Sequence, residues 1–301
     1  MRLDGVLFFP VTPFGPSGEV VESALATHVS AGVSAGAGGV FAACGTGEFN
    51  ALDLDDYTRV VSTAVTATAG RVPVFAGAGG PLPVAQAFAR AAAECGADGL
   101  LLLPPYLVSA PAAGLVAFVR AVASVTDLPI IVYQRGNARF TPAAVAELAG
   151  MPQVVGFKDG LGDFDLLQRI ILTVRASTSR EFTFFNGLPT AELTVPAYRG
   201  LGVPLYSSAV FAFAPEIALA FYKAVTSGDD ELVQRLLTHF YLPLVDLRDR
   251  VPGYAVSLVK AGVRLGGLDA GGVRAPLVDA APEDVAALER IIARGREIAG
   301  A

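Results

Sequence analysis

Short, almost wholly apolar runs alternate with longer stretches of helical signal along most of the chain. Eight runs stand out, at residues 6–9, 39–42, 73–76, 99–103, 129–133, 154–158, 182–185 and 203–206. Most are too apolar for strands with one solvated face, and continuous runs of this length suit a parallel sheet covered on both sides. Between them, residues 23–33, 54–67, 83–94, 112–125, 141–149, 163–176 and 190–198 carry helical signals. Asp53 is placed as an N-cap, Thr141-Pro142 has the form of an N-cap followed by proline at the first helical position, and Cys95-Gly96 marks a C-terminus. Eight such strand–helix units predict an α/β fold, a (β/α)8 TIM barrel. A doubly wound open sheet is the competing architecture, but no glycine-rich dinucleotide fingerprint follows the first strand.

After Phe213-Ala214-Pro215 the strand runs cease, and residues 216–225, 231–240, 254–265 and 283–298 read as helices. The first closes the barrel and the others extend it, which predicts a catalytic barrel over 1–225 and a C-terminal helical extension packed on it over 226–301. With 53% hydrophobic residues in 301, the chain can bury a large core. A net charge of −6 and a pI of about 5.0 suggest neither nucleic acid nor a membrane surface as partner. Mean hydropathy is high, +0.53, yet Gly, Pro or charged residues interrupt every apolar run before the length of about 18 residues that a membrane span needs. The start, Met1-Arg2-Leu3-Asp4-Gly5, lacks a signal-peptide core, and Cys44 and Cys95 form no metal-type or CxxC spacing, so a cytoplasmic location is expected.

In a (β/α)8 barrel the chemistry sits at the C-terminal ends of the strands. The sixth run, Val154-Val155-Gly156-Phe157-Lys158, ends on one of only three lysines in the chain. Burying an ammonium is costly, and a lysine held there has a lowered pKa that frees its amine to attack a carbonyl. The alternative is a lysine paired with a neighbouring carboxylate, Asp159. Tyr133 ends the adjacent strand, where its phenol either packs at the barrel mouth or relays protons at a Schiff base. Gly45-Thr46-Gly47, after the second strand, is a compact turn able to present backbone N–H groups to a carboxylate or phosphate, or else an ordinary βα turn. The two histidines, His28 and His239, fall outside this set and read as structural or surface residues. Glu48, Asp159 and Asp163 read as loop and helix caps, and no His/Cys/Asp/Glu cluster has metal spacing, so no metal site is expected.

The set Val11-Thr12-Pro13-Phe14, Gly45-Thr46-Gly47-Glu48, Pro104-Pro105-Tyr106, Ile131-Val132-Tyr133 and Gly156-Phe157-Lys158-Asp159 resembles the dihydrodipicolinate synthase / N-acetylneuraminate lyase family, in order and over essentially the whole chain. That resemblance implies a class I lyase with no cofactor beyond a covalent Schiff base on Lys158. Tyr133 would be the proton relay, the Gly45-Thr46 turn would hold the carboxylate of a 2-oxo acid, and the assembly would be a homotetramer. Cys44 before that turn, Gln134-Arg135-Gly136-Asn137 after Tyr133, and Leu107 after Tyr106 depart from the usual pattern. With Lys158-Asp159-Gly160-Leu161-Gly162, Asn186-Gly187-Leu188 and Tyr206-Ser207-Ser208, they resemble a dehydrating and decarboxylating branch acting on a small-molecule 2-oxo sugar diacid. Asn186, Ser207, Ser208 and either Arg135 or Arg139 are the implied partners of its distal carboxylate and hydroxyls. An aldolase of the same family, releasing pyruvate, and a non-catalytic barrel binding a sugar acid are the competing readings.

Overall fold

The structure, a computed structural model, describes residues 3–300. Eight strands close into an all-parallel barrel in sequence order: β1 (Leu7–Phe8), β2 (Gly39–Ala42), β3 (Val74–Ala78), β4 (Gly99–Leu102), β5 (Ile130–Gln134), β6 (Val154–Asp159), β7 (Thr183–Asn186) and β8 (Leu205–Ser208). Seven helices connect consecutive strands: α1 (Glu22–Ala35), α2 (Leu54–Thr68), α3 (Leu82–Glu94), α4 (Ala112–Ala123), α5 (Pro142–Ala149), α6 (Phe164–Ser177) and the short α7 (Val195–Gly200). The predicted caps are in place. Asp53 accepts from the Asp56 amide at 2.8 Å, Thr141 from Ala144 at 3.2 Å and Asp163 from Leu166 at 3.1 Å.

Boundaries shift where the backbone lacks a donor. Pairing of β8 begins at Leu205 rather than residue 203, because Pro204 cannot donate to a parallel ladder. The helix expected over 190–198 is a 3-10 turn (Ala191–Thr194) followed by α7, whose Pro196 is accommodated in its first turn. After α8 (Pro215–Ser227), the helix expected over 231–240 becomes α9 (Asp230–Leu236), a π turn (Leu237–Tyr241) and α10 (Leu242–Arg248). Pro243, which cannot serve an i−4 carbonyl, explains that break. Two further helices follow, α11 (Tyr254–Leu265) and α12 (Pro282–Ala299).

Strand alternation decides what the barrel presents. Phe9, Phe41 and Phe75 stack in series at 4.6 and 5.0 Å between ring centroids and fill the interior. Phe8, one residue earlier, faces out against α1, edge-on to His28 at 5.1 Å. Burial holds that imidazole down to about 4, so it is neutral at pH 7, while His239 is exposed in the π turn; both lie away from the barrel mouth. A register shift between β5 and β6 sets Ile131 opposite Gly156 rather than Val155, and from there Tyr133 pairs with Lys158 and Gln134 with Asp159. No helix among the described residues is long and apolar enough to cross a membrane.

Candidate active site

A cavity of about 480 Å³ opens at the C-terminal ends of the strands, and Lys158 lies at its base. The side chain is 6% exposed, with Nζ 4.4 Å from the Phe9 ring centroid and 4.6 Å from that of Tyr133. Among the described residues no carboxylate comes within ion-pair distance of it. Pairing with Asp159 is ruled out by alternation: Asp159 turns toward α7, where it accepts from Tyr198 and from Gln134 Nε2 at 2.7 Å. It also caps the loop beyond, accepting from the amides of Leu161 at 3.2 Å and Gly162 at 3.3 Å. Burial lowers the Lys158 ammonium to about 8, and the guanidinium of Arg135 pushes the same way. A thiolate at Cys44 would oppose them, but burial drives that thiol up to about 12, so it is uncharged at neutral pH.

Tyr133 stands beside Lys158 on the neighbouring strand, as the register requires. Its hydroxyl donates to the Gly187 carbonyl at 2.7 Å and receives Arg135 Nη1 at 3.4 Å. Burial raises the phenol, outweighing the arginine, so it carries its proton at neutral pH. Two glycines make this packing possible. A Cβ at Gly187 would lie 2.6 Å from Lys158 Cε and 2.8 Å from Tyr133 Cε2, and one at Gly160 would lie 2.8 Å from the phenol oxygen.

Gly45 and Thr46 line the cavity, and among the described residues their amide N–H groups have no backbone acceptor. Gly47 does not line it. A Cβ there would meet Pro10 O at 3.2 Å, and its own carbonyl accepts from Thr12 Oγ1 at 2.7 Å, so Gly47 braces the turn from behind. Ser207 faces in, whereas Ser208 faces out and donates to Glu192, a carboxyl that burial pushes up to about 7. Asn186 is also turned away from the cavity. It donates to Ala191 O at 3.0 Å and Thr194 Oγ1 at 2.8 Å and accepts from the Leu188 amide at 3.1 Å, holding the loop after β7. Of the two arginines, Arg135 reaches the cavity. Arg139 is bound to Asp163 at 3.1 Å on the exposed outer side.

The last helices are part of the site, which sequence reasoning missed. Arg248 of α10 lines the cavity and donates through Nη1 to Pro189 O at 3.0 Å and Thr190 Oγ1 at 2.9 Å, while Asp249 takes its Nε at 2.7 Å. Tyr254, Leu258 and Val259 of α11 line the cavity as well. No local pattern marks these residues, since helical extension and barrel meet only in three dimensions. Glu48 stands at the N-cap position of the 3-10 turn Phe49–Ala51, but its side chain makes no cap bond there; its carboxylate is paired instead with Lys260 of α11 at 2.7 Å.

The chain is similar to known proteins along nearly its whole length. The sequence model of the Dihydrodipicolinate synthetase family matches residues 2–294. The chain is 59% identical over 295 residues to the Streptomyces griseus subsp. griseus protein named "Probable 5-dehydro-4-deoxyglucarate dehydratase", covering 98% of this chain and 92% of that one. It is 59% identical over 293 residues to "Probable 5-dehydro-4-deoxyglucarate dehydratase 1" of Streptomyces coelicolor, covering 97% and 93%. Among solved structures, the dihydrodipicolinate synthase of Bacillus clausii matches with a TM-score of 0.87 at 24% identity over 97% of both chains, a likeness of fold. Matched by the family model along nearly its whole length and folded as a closed eight-stranded barrel with Lys158 in its cavity, the chain belongs to the dihydrodipicolinate synthetase family.

Proposed function

We propose that this chain dehydrates and decarboxylates 5-dehydro-4-deoxyglucarate to 2,5-dioxopentanoate, water and carbon dioxide. The observation that carries the reading is Lys158: buried, without an ion-pair partner among the described residues, lowered to about 8 and set beside a protonated phenol. The names of the relatives that share 59% identity supply the substrate.

Neutral Lys158 adds to the C5 ketone, and loss of water from the carbinolamine gives an iminium that acidifies C4. Removal of a C4 proton forms an enamine, whose electrons expel the C3 hydroxyl, protonated as it leaves, and regenerate a conjugated iminium. The electron pair of the C1–C2 bond then flows into that system and C1 departs as carbon dioxide. Tautomerisation and hydrolysis release the product and the amine. One lysine serves as electron sink for both eliminations, so the chemistry calls for no metal or organic cofactor. Tyr133, whose protonated hydroxyl stands beside Lys158, supports the reading as the shuttle that carries the proton to the leaving hydroxyl. The amides of Gly45 and Thr46 suit the carboxylate next to the ketone, and Arg135, the cavity arginine with no carboxylate partner among the described residues, suits the distal one.

Assaying for carbon dioxide and pyruvate with separate dehydratase and aldolase substrates tests the reading. Carbon dioxide with 2,5-dioxopentanoate is expected; pyruvate without carbon dioxide assigns the chain to the aldolases. Arg135→Gln should raise KM for the diacid about ten-fold or more, the worth of a charge-assisted hydrogen bond. It should also move the acidic limb of kcat/KM upward. Attack needs the neutral amine, so activity rises with pH through about 8, and removing a neighbouring positive charge raises that pKa. A limb that stays put or moves down contradicts the placement of Arg135. We also propose a homotetramer. The loop after β4 presents Tyr106, Leu107 and Val108 to solvent, Leu107 at 98% exposure, an apolar tip suited to burial between subunits. Light scattering should give four times the 31.0 kDa chain mass, and a monomer would refute it.

A further inference from the structure

Two of the three lysines are buried, on opposite terms. Among the described residues Lys158 has no counter-ion, whereas Lys260, in α11, is completely buried and fully engaged. Its Nζ donates to Glu48 Oε1 and to Gly272 O, both at 2.7 Å, and lies 4.1 Å from the centroid of the Phe14 ring. The other carboxylate oxygen of Glu48 accepts from the Arg274 amide at 2.8 Å. A buried ion pair of this kind is weak evidence for stability, because desolvation offsets the attraction; what it supplies is one fixed arrangement.

The segment it fixes carries strain. Glu48 sits in the left-handed region at φ 57°, and Ala43 at φ 49°, neither of them glycine. Between these two residues lies the Gly45-Thr46 turn with its unpartnered amides. The turn is closed by Glu48 N to Gly45 O and Phe49 N to Cys44 O, each 3.1 Å, so the backbone of Glu48 is one jaw of the loop. Anchoring the Glu48 side chain therefore dictates where those amides face.

We propose that the Glu48–Lys260 pair is the positioning device for the substrate carboxylate, through which the C-terminal helices set affinity for the 2-oxo acid. Neither residue touches the cavity; both act through the turn. The inference rests on the reading that Gly45-Thr46 receives the carboxylate beside the ketone. The test is borohydride trapping on Lys158 with pyruvate and, separately, with its neutral methyl ester, each titrated to half-saturation. The parent should trap pyruvate at the lower concentration. Glu48→Gln should raise the half-saturating pyruvate concentration about ten-fold and leave that of the ester within about two-fold, since only the anion loses aligned N–H donors. Equal rises for acid and ester, or no rise, overturn the positioning role. No preference for the acid in the parent overturns the carboxylate reading itself, and the proposal with it. If Glu48→Gln does not fold, as judged by near-UV circular dichroism, Glu48→Leu with Lys260→Met removes both charges together, and the same selective loss is expected of it.

Discussion

Lys158→Met is expected to abolish turnover, by more than about 10⁴-fold, while leaving a barrel that is more stable than the parent. The loss follows because no other group at the site can form the covalent intermediate. The gain follows from the linkage between charge and folding. The folded pKa, about 8, lies below the ordinary 10.5, so the fold disfavours the ammonium. Below pH 8 the buried cation costs about 3 kcal/mol, a cost that shrinks as pH rises from 8 to 10.5 and vanishes above. Methionine fills nearly the same volume with no charge to desolvate. Denaturant unfolding at pH 7 and near pH 10 should show the variant ahead at the lower pH and the gap closing at the higher. A variant less stable at pH 7, or one that still turns over, contradicts the account.

The second large effect is expected from Tyr133→Phe. The ring still packs beside Lys158, but the hydroxyl that bonds Gly187 O is gone. Turnover should fall by about 10²–10⁴-fold, the range of a lost general acid–base group. Stability should fall by only about 1 kcal/mol, one buried hydrogen bond. Trapping of a 2-oxo acid on Lys158 by borohydride should persist, because Tyr133 is assigned to proton transfer and not to attack. An unchanged kcat would remove the relay.

Much of this site was legible before folding. Lys158 and Tyr133 could be paired from two apolar runs and the barrel rule, because a parallel register sets consecutive strand ends side by side. Alternation carried more information than the residue types used: Ser207 and Ser208 are adjacent on one strand and cannot both face in. Asn186 falls in register with Asp159, which faces out. The choice between Arg135 and Arg139 depended on a tight turn at Gly136, φ 58°, closed by the Arg135–Ala138 bridge, which sends the second arginine to the outer surface. Arg248 and Lys260 could not be found that way. Each meets its loop across a long sequence separation, 58 residues to Thr190 and 212 to Glu48, with no periodicity to announce the contact.

Lys158 is expected to be the Schiff-base lysine. Incubation with pyruvate and borohydride, followed by peptide mapping, tests it directly, since the chain offers only Lys158, Lys223 and Lys260 as side-chain amines. Lys223 is exposed and Lys260 is held by Glu48, so the reduced adduct is expected on Lys158 alone. An adduct on either of the other lysines with Lys158 unmodified, or no adduct at all, would contradict the account.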